Sequence, residues 1–263
     1  MNNIKILVGA PVYEGTRYSI GEFLDTIRNL DYSNYDILLV DNSQTDDFFQ
    51  ELKKEEGINV IKDTLKEKPN LKKVVSSRNK ILEYALDNKY DYVLMMDSDV
   101  IPPKNIISDL LECQKEIVSG LYHNYFRISG KLKLLPVAWK SITKEQFEEI
   151  KRQAKLPPQF KSHLDLRRNL TEEEVASNKV LEVLIPSAGC MLLSRKVLEK
   201  VRYGLLEEKE IKGSNTTDEI YFMKQAREMN FKAYCHTKIK CKHLVLGKFQ
   251  KDVNGNMIHP LHR

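Results

Sequence analysis

No apolar run in this chain of 263 residues approaches the roughly 20 that a membrane-spanning helix needs. A C-x-x-C pair is missing too. Cys113, Cys190, Cys235 and Cys241 stand apart, and separate thiols in a reducing compartment are the simplest reading. The N-terminus, Met1-Asn2-Asn3-Ile4-Lys5-Ile6-Leu7-Val8, lacks the pattern of a secretory leader and reads as a strand. Charge of one sign does not dominate: 42 Lys and Arg face 37 Asp and Glu, a formal +5. That favours anionic ligands weakly. No aromatic-interleaved basic motif of an RNA-binding module occurs, so nucleic acid is not an expected partner. Internal repeats and low-complexity segments are also lacking. These absences lead to the expectation of a soluble, cytoplasmic protein without a transmembrane segment; peripheral membrane contact through the basic surface stays open. What is present is a core: 41% of residues are hydrophobic, enough for one large α/β domain or a domain with a substantial insert.

The chain is organised around Asp97-Ser98-Asp99. The motif follows the apolar run from Tyr92 to Met96, and Pro102-Pro103 stop any continuation. A continuous apolar run of this kind reads as a strand buried on both faces. Ligands of open α/β sheets sit beyond the carboxyl ends of such strands. If the chain stays extended, Asp97 and Asp99 point into the same space. Two carboxylates so placed repel unless a cation or proton lies between them, and Mg²⁺ or Mn²⁺ suits such oxygens. A solvated acidic turn is the plainer alternative.

Strands are expected at 4–8, 36–40, 58–61, 92–96 and 117–122. Helices are expected at 18–30, with Ser19 as a candidate cap, at 48–56 and at 74–86, with Arg78 and Asn79 in the first turns of the last. A further helix opens near Pro103. The alternation argues for a doubly wound, mostly parallel sheet with helices on both faces. Residues 127–180 break it. There a strand is expected from Leu132 to Trp139, and Thr143-Lys144-Glu145-Gln146 and Thr171-Glu172-Glu173-Glu174 are two capping boxes. The segment reads as an insert over the sheet or a lid. Later strands are expected at 180–185, 191–193, 231–235 and 239–245, with helices at 195–201 and 217–229. Asn254-Gly255 is a hairpin signal in a tail from 246 to 263. One domain over 1–245 is the expected organisation.

Taken in order, these pieces resemble the GT-A glycosyltransferases, and glycosyltransferase family 2 most closely. The resemblance implies the GT-A fold and a metal-dependent transfer of a sugar, with inversion, from a UDP- or GDP-sugar to a carbohydrate, lipid-linked or protein acceptor. Pro11-Val12-Tyr13 looks like the opening nucleotide loop. Asp41 is similar to the aspartate that faces the base, and Arg78-Asn79 to a pair that contacts the nucleotide. Asp97-Ser98-Asp99 resembles the DxD motif, with Asp97 toward the nucleotide and Asp99 on Mn²⁺ or Mg²⁺. Ala188 and Gly189 lie in a stretch similar to the one beside sugar and acceptor. Thr217-Asp218-Glu219 resembles the acidic motif that supplies the catalytic base, with its two acids in reversed order. His243 matches a late histidine that completes the metal site.

Such a transfer needs a neutralised diphosphate, a base for the acceptor hydroxyl and a positioned sugar. Each residue also has a structural reading: helix-end charge for Asp218 and Glu219, a turn for Asp41, a solvated arginine for Arg78, a strand histidine for His243. Two rival functions remain. In a haloacid-dehalogenase-like phosphatase Asp97 would be the nucleophile; a non-catalytic nucleotide-sugar binding protein would keep the fold alone.

Overall fold

Apolar strands alternate with amphipathic helices through the first half of the chain, and each pair builds one parallel step of a sheet. The computed structural model describes residues 4–65, 70–128, 130–154, 156, 158, 160–207, 217–244, 250–251 and 257–258. The opening series is β1 (Ile6–Val12), α1 (Arg17–Arg28), β2 (Tyr35–Asp41), α2 (Asp47–Leu52), β3 (Ile58–Lys62), α3 (Asn70–Asp87) and β4 (Tyr92–Met96). β1 pairs parallel with both β2 and β4, and β2 with β3. Then come β5 (Val100–Ile101), α4 (Ile106–Glu112), β6 (Ile117–Leu121), the hairpin of β7 (His123–Ile128) and β8 (Lys131–Pro136), β9 (Trp139–Ser141), α5 (Lys144–Gln153), β10 (Arg167–Asn169) and α6 (Glu172–Ala176). The series ends with β11 (Val180–Val183), β12 (Cys190–Ser194), α7 (Arg195–Leu198), α8 (Asp218–Glu228), β13 (Ala233–Lys240), β14 (Lys242–His243), β15 (Gln250–Lys251) and β16 (Met257–Ile258). Eight strands form the main sheet, in the order β11-β13-β6-β12-β4-β1-β2-β3.

Both faces of this sheet are covered, as the continuous apolar runs require. Leu7, Val93 and Met95 point to the face packed by Ile81 and Leu82 of α3 and Phe222 and Met223 of α8. Ile6, Val8, Leu94 and Met96 point to the other, under Phe23 and Ile27 of α1 and Ile107 and Leu110 of α4. The period-two alternation of strand side chains splits one run between two cores.

The sheet is mostly parallel, as read: β12 runs antiparallel between β4 and β6, and β11 antiparallel to β13. The structure departs from the sequence reading in three places. The expected strand from Leu132 to Trp139 is two strands. Pro136 ends β8, and Val137 and Ala138 drop into the core before β9 begins. The two late strands are mainly one, β13, whose pairing with β6 shifts register between Cys235 and Lys240. Ser19 is no cap: it lies inside α1, fully buried, and donates to the Thr16 carbonyl. The two capping boxes form as read, with Thr143 and Thr171 each accepting from the amide three residues on. β15 and β16 pair antiparallel, and Asn254-Gly255 lies outside the described residues.

Gly9 in β1 fixes the approach of α3. A Cβ there would meet Cγ2 of buried Ile81 at 2.3 Å. Gly9→Ala should therefore lower stability by about 1–3 kcal/mol through overpacking. The urea midpoint measures this, and combining the change with Ile81→Ala should cost less than the sum of the two single changes.

Candidate active site

The parallel strands end together, and their last residues open onto one edge of the sheet. Pro11 and Tyr13 stand at the end of β1, Asn42 just past β2 and Asp97 just past β4. Because β12 is antiparallel to β4, its start lies at the same edge: Cys190 is opposite Met96, and the Asp97 amide donates to the Gly189 carbonyl at 3.0 Å. Gly189 cannot carry a side chain here without displacing its neighbours. A Cβ would sit 2.7 Å from Asp97 Oδ2 and 2.9 Å from the Tyr122 hydroxyl.

Asp97, Ser98 and Asp99 form a turn, with the Val100 amide donating to the Asp97 carbonyl at 3.0 Å. The two carboxylates go to different partners. Asp97 Oδ1 accepts from Arg78 Nη2 at 2.7 Å. Asp99 Oδ2 accepts from the Tyr18 hydroxyl at 3.0 Å and lies 3.6 Å from His243 Nε2. The cation expected between the two aspartates is thus, for Asp97, a side chain of the protein itself.

Arg78 lies in the middle of α3 rather than in its first turns, because the helix starts at Asn70. It is 3% exposed. Besides Asp97, its Nη1 donates to Asp218 at 2.9 Å and to Glu219 at 3.4 Å. One guanidinium therefore joins three carboxylates. Its Cζ lies 5.2 Å from the Tyr203 ring centre, and Tyr203 stacks on Phe222 of α8. Asn79, the next residue, pins that tyrosine: its amide nitrogen donates to the Tyr203 carbonyl at 3.0 Å, and its Oδ1 accepts from the Tyr203 amide at 2.9 Å.

The two acids opening α8 differ in setting. The Asp218 side chain is 3% exposed and that of Glu219 24%. Burial outweighs the pull of Arg78 at Asp218 and raises its carboxyl to about 7. Burial also acts on Glu219, but the Arg78 charge and hydrogen bonds from its helix start hold this carboxyl below its ordinary value. Glu219 is the ionised, reachable acid of the pair. Burial pushes Asp97 up against the attraction of Arg78. At Asp99 the effect of burial is outweighed by His243 and Tyr18, so its carboxyl is lowered and the His243 imidazole raised.

β14 is what brings His243 in. It pairs antiparallel with β5, setting His243 opposite Val100, and the Leu244 amide donates to the Asp99 carbonyl at 2.7 Å. One carboxylate oxygen and one imidazole nitrogen at this separation suit a divalent cation. Among the described residues no three His, Cys, Asp or Glu gather as a self-contained metal cage. The pair fits an ion completed by oxygens of a ligand.

Two clefts meet at these acids. The first, of about 290 Å³, is lined by Pro11, Tyr13, Asn42, Leu71, Val74 and Arg78 on its outer side. The second, of about 440 Å³, runs past Ala188 and His243 to Phe126, Trp139 and Arg167. Asp97, Asp99, Thr217 and Glu219 line both. Every site residue expected from the sequence lies at or beside this junction except Asp41. Its carboxylate is fully buried, accepts from Ser43 and from Lys62 at 2.9 Å, and shapes the turn from behind. Its neighbour Asn42 lines the cleft instead and donates to Ser77 at 3.1 Å. Sequence reasoning gave no site role to Asn42, Tyr18, Tyr122, Trp139 or Arg167. Position beside Asp41 was the available signal for Asn42, and being the chain's one tryptophan the signal for Trp139.

The phosphatase reading needs Asp97 free to attack, and Arg78 holds that carboxylate. β4 is also the fourth strand, after three strand-helix units.

A family model described as glycosyl transferase family 2 matches residues 8–202. Among solved structures, one of GalNAc-T7 with UDP, GalNAc and Mn²⁺ aligns at a TM-score of 0.59 and 11% identity, covering 92% of this chain and 44% of that one. A mannosyltransferase, PcManGT from Pyrobaculum calidifontis, in complex with GDP-Man and Mn²⁺, aligns at a TM-score of 0.50 and 15% identity, covering 92% and 57%. This chain therefore spans about half the length of those two. At such identities the likeness carries the GT-A fold alone. No curated protein matches the chain.

The raised Asp218 carboxyl has a consequence for stability. Its folded value of about 7 lies above the ordinary 3.8, so the folded chain keeps this proton longer than the unfolded one. The contribution is full below about pH 4 and is lost as pH rises toward 7. Asp218→Asn should flatten the fall in stability across that window by up to about 1.4 kcal/mol per pH unit. Urea unfolding of metal-free protein at several pH values measures it; parallel curves for the two proteins would refute it.

Proposed function

The chain belongs to glycosyl transferase family 2, and on that premise we propose that it moves a sugar from a nucleotide-diphosphate sugar to an acceptor hydroxyl, with inversion. The observation that carries this reading is the junction of two clefts at Asp97, Asp99 and Glu219. Donor and acceptor must meet at a point where one group handles the leaving diphosphate and another takes the hydroxyl proton. The first cleft takes the nucleotide, a UDP- or GDP-sugar. Tyr13, Pro11 and Asn42 frame the base, with Asp41 and Lys62 fixing the turn behind it. Asp97, held by Arg78, faces the ribose and sugar.

Mn²⁺ or Mg²⁺ would sit on Asp99 and His243, where it supplies Lewis-acid neutralisation of the leaving diphosphate. Glu219 is the base. It is ionised and reachable, and its fixed contact with Arg78 keeps it aimed at the junction. As the acceptor oxygen bonds to the anomeric carbon, its proton passes to Glu219 and the bond to the diphosphate breaks. A single displacement of this kind inverts the centre. Asp218, buried against Arg78, positions the guanidinium and the start of α8. Ala188 and Gly189 border the sugar. One catalytic domain over 1–245 follows, in which 127–180 forms the acceptor side: Ala138 and Leu170 anchor it in the core, and Trp139 and Arg167 face the second cleft.

Three substitutions test the assignment. Glu219→Gln should lower turnover by a factor of about 10² or more with donor binding little changed, and Asp218→Asn should be milder. The reverse ranking moves the base to Asp218. Asp99→Asn should abolish the Mn²⁺-dependent thermal shift given by UDP- or GDP-sugars, a shift worth roughly 2.7 kcal/mol at 100-fold the dissociation constant. Donor binding without any hydrolysis or transfer would mark a non-catalytic binding protein.

A further inference from the structure

Arg167 and Arg168 are adjacent in β10, and their side chains lead different lives. Arg168 is committed: it donates to both carboxylate oxygens of Glu174, at 2.6 and 3.0 Å, and to its neighbour's carbonyl. Arg167 has no hydrogen bond or ion pair among the described residues, yet it lines the second cleft. Among the described residues no carboxylate comes within ion-pair reach of it. The acids of the cleft are engaged elsewhere, Asp97 and Glu219 with Arg78 and Asp99 with Tyr18 and His243. Arg167 comes in from the small β9–β10 sheet, separate from the sheet edge where those acids stand.

The rest of the cleft wall near it is mostly apolar. Phe126 meets Trp139 edge to face at 6.1 Å, and Val137, Ile185 and Pro186 continue the surface. An aromatic wall of this kind receives the apolar face of a pyranose ring. A guanidinium without a side-chain partner among the described residues is suited to a planar or tetrahedral oxyanion, which it can hold by two parallel bonds. Arg167 keeps part of its surface in solvent, yet its partial burial in the cleft holds the guanidinium below its ordinary value, a cost that an oxyanion beside it would relieve.

We propose that Arg167 is an acceptor-specificity residue and that the acceptor is a sugar bearing an oxyanion, phosphate or carboxylate. This rests on the glycosyltransfer reading and narrows its acceptor class. The one tryptophan, Trp139, stands in the same cleft and reports on its occupancy.

The test is a fluorescence titration of the full chain with glucose, glucose 6-phosphate and glucuronate. At least one anionic sugar should bind about 10-fold or more tightly than glucose, and which of the two does so separates phosphate from carboxylate as the source. Arg167→Ala should abolish this preference and Arg167→Lys should keep part of it. No response to any of the three, equal affinity for all three, or a preference that survives Arg167→Ala would overturn the proposal. Nucleotide release from donor sugars by the unaltered chain is measured separately. Its absence would count against glycosyltransfer and leave the anion preference as measured.

Discussion

One buried guanidinium facing three carboxylates is the constraint on which the site depends. Arg78 reaches Asp97, which is 19 positions away, and Asp218 and Glu219, which are 140 and 141 positions away. It thereby ties the middle of α3 to the end of β4 and the start of α8. None of these charges is tolerable alone at this depth, since an unpaired buried carboxylate or guanidinium forfeits its hydration without recompense. Together they satisfy one another only in part. One positive charge cannot balance three negative ones, so the cluster either holds a proton, as the raised Asp218 carboxyl indicates, or draws in another cation. The same imbalance that strains the free protein prepares it for a cationic visitor.

The packing around this cluster leaves little play. Tyr203 covers the guanidinium from one side, pinned by Asn79 and stacked on Phe222. Gly189 brings backbone where a side chain would collide with Asp97. Gly9 lets α3 settle close to β1, three residues beyond Arg78 along the helix. Positions that carry no chemistry thus set where the charged groups come to rest, which is how a catalytic constellation is held to within fractions of an ångström.

Much of this was legible in the sequence, for local reasons. Tyr92 to Met96 is apolar at every position but its first and could only be a buried strand, so the acids after it had to fall at a sheet edge. Both capping boxes are short-range patterns and formed as read. Less was legible where distant partners decide. The antiparallel run of β12 depends on its two neighbours, and the split of Leu132 to Trp139 on Ala138 finding the core. Asp41 and Asn42 look alike as turn residues, and Lys62, paired with Asp41 across the β2–β3 ladder, decides which one faces the cleft. Arg78 gave no sign of being buried, because nothing local distinguishes it from a solvated helix arginine. Arg167 and Arg168 are indistinguishable in sequence, and only Glu174 separates them.

His243 reaches Asp99 on a two-residue strand, late in the chain. The strands and helices that build the edge of the sheet, β1 to β4 with α1 to α3, are all made before residue 97, and domains tend to fold as the chain emerges during synthesis. That side of the cleft is therefore synthesised before the acids of α8 exist. Arg78 is present by then, but α8 and the imbalance it brings arrive more than a hundred residues afterwards, and the imidazole later still. Synthesis thus sets the order in which the groups of the site appear: Arg78, Asp97 and Asp99 first, the two acids of α8 next, and His243 last. A chain interrupted after β13 would hold all eight strands of the main sheet around a centre that lacks its imidazole.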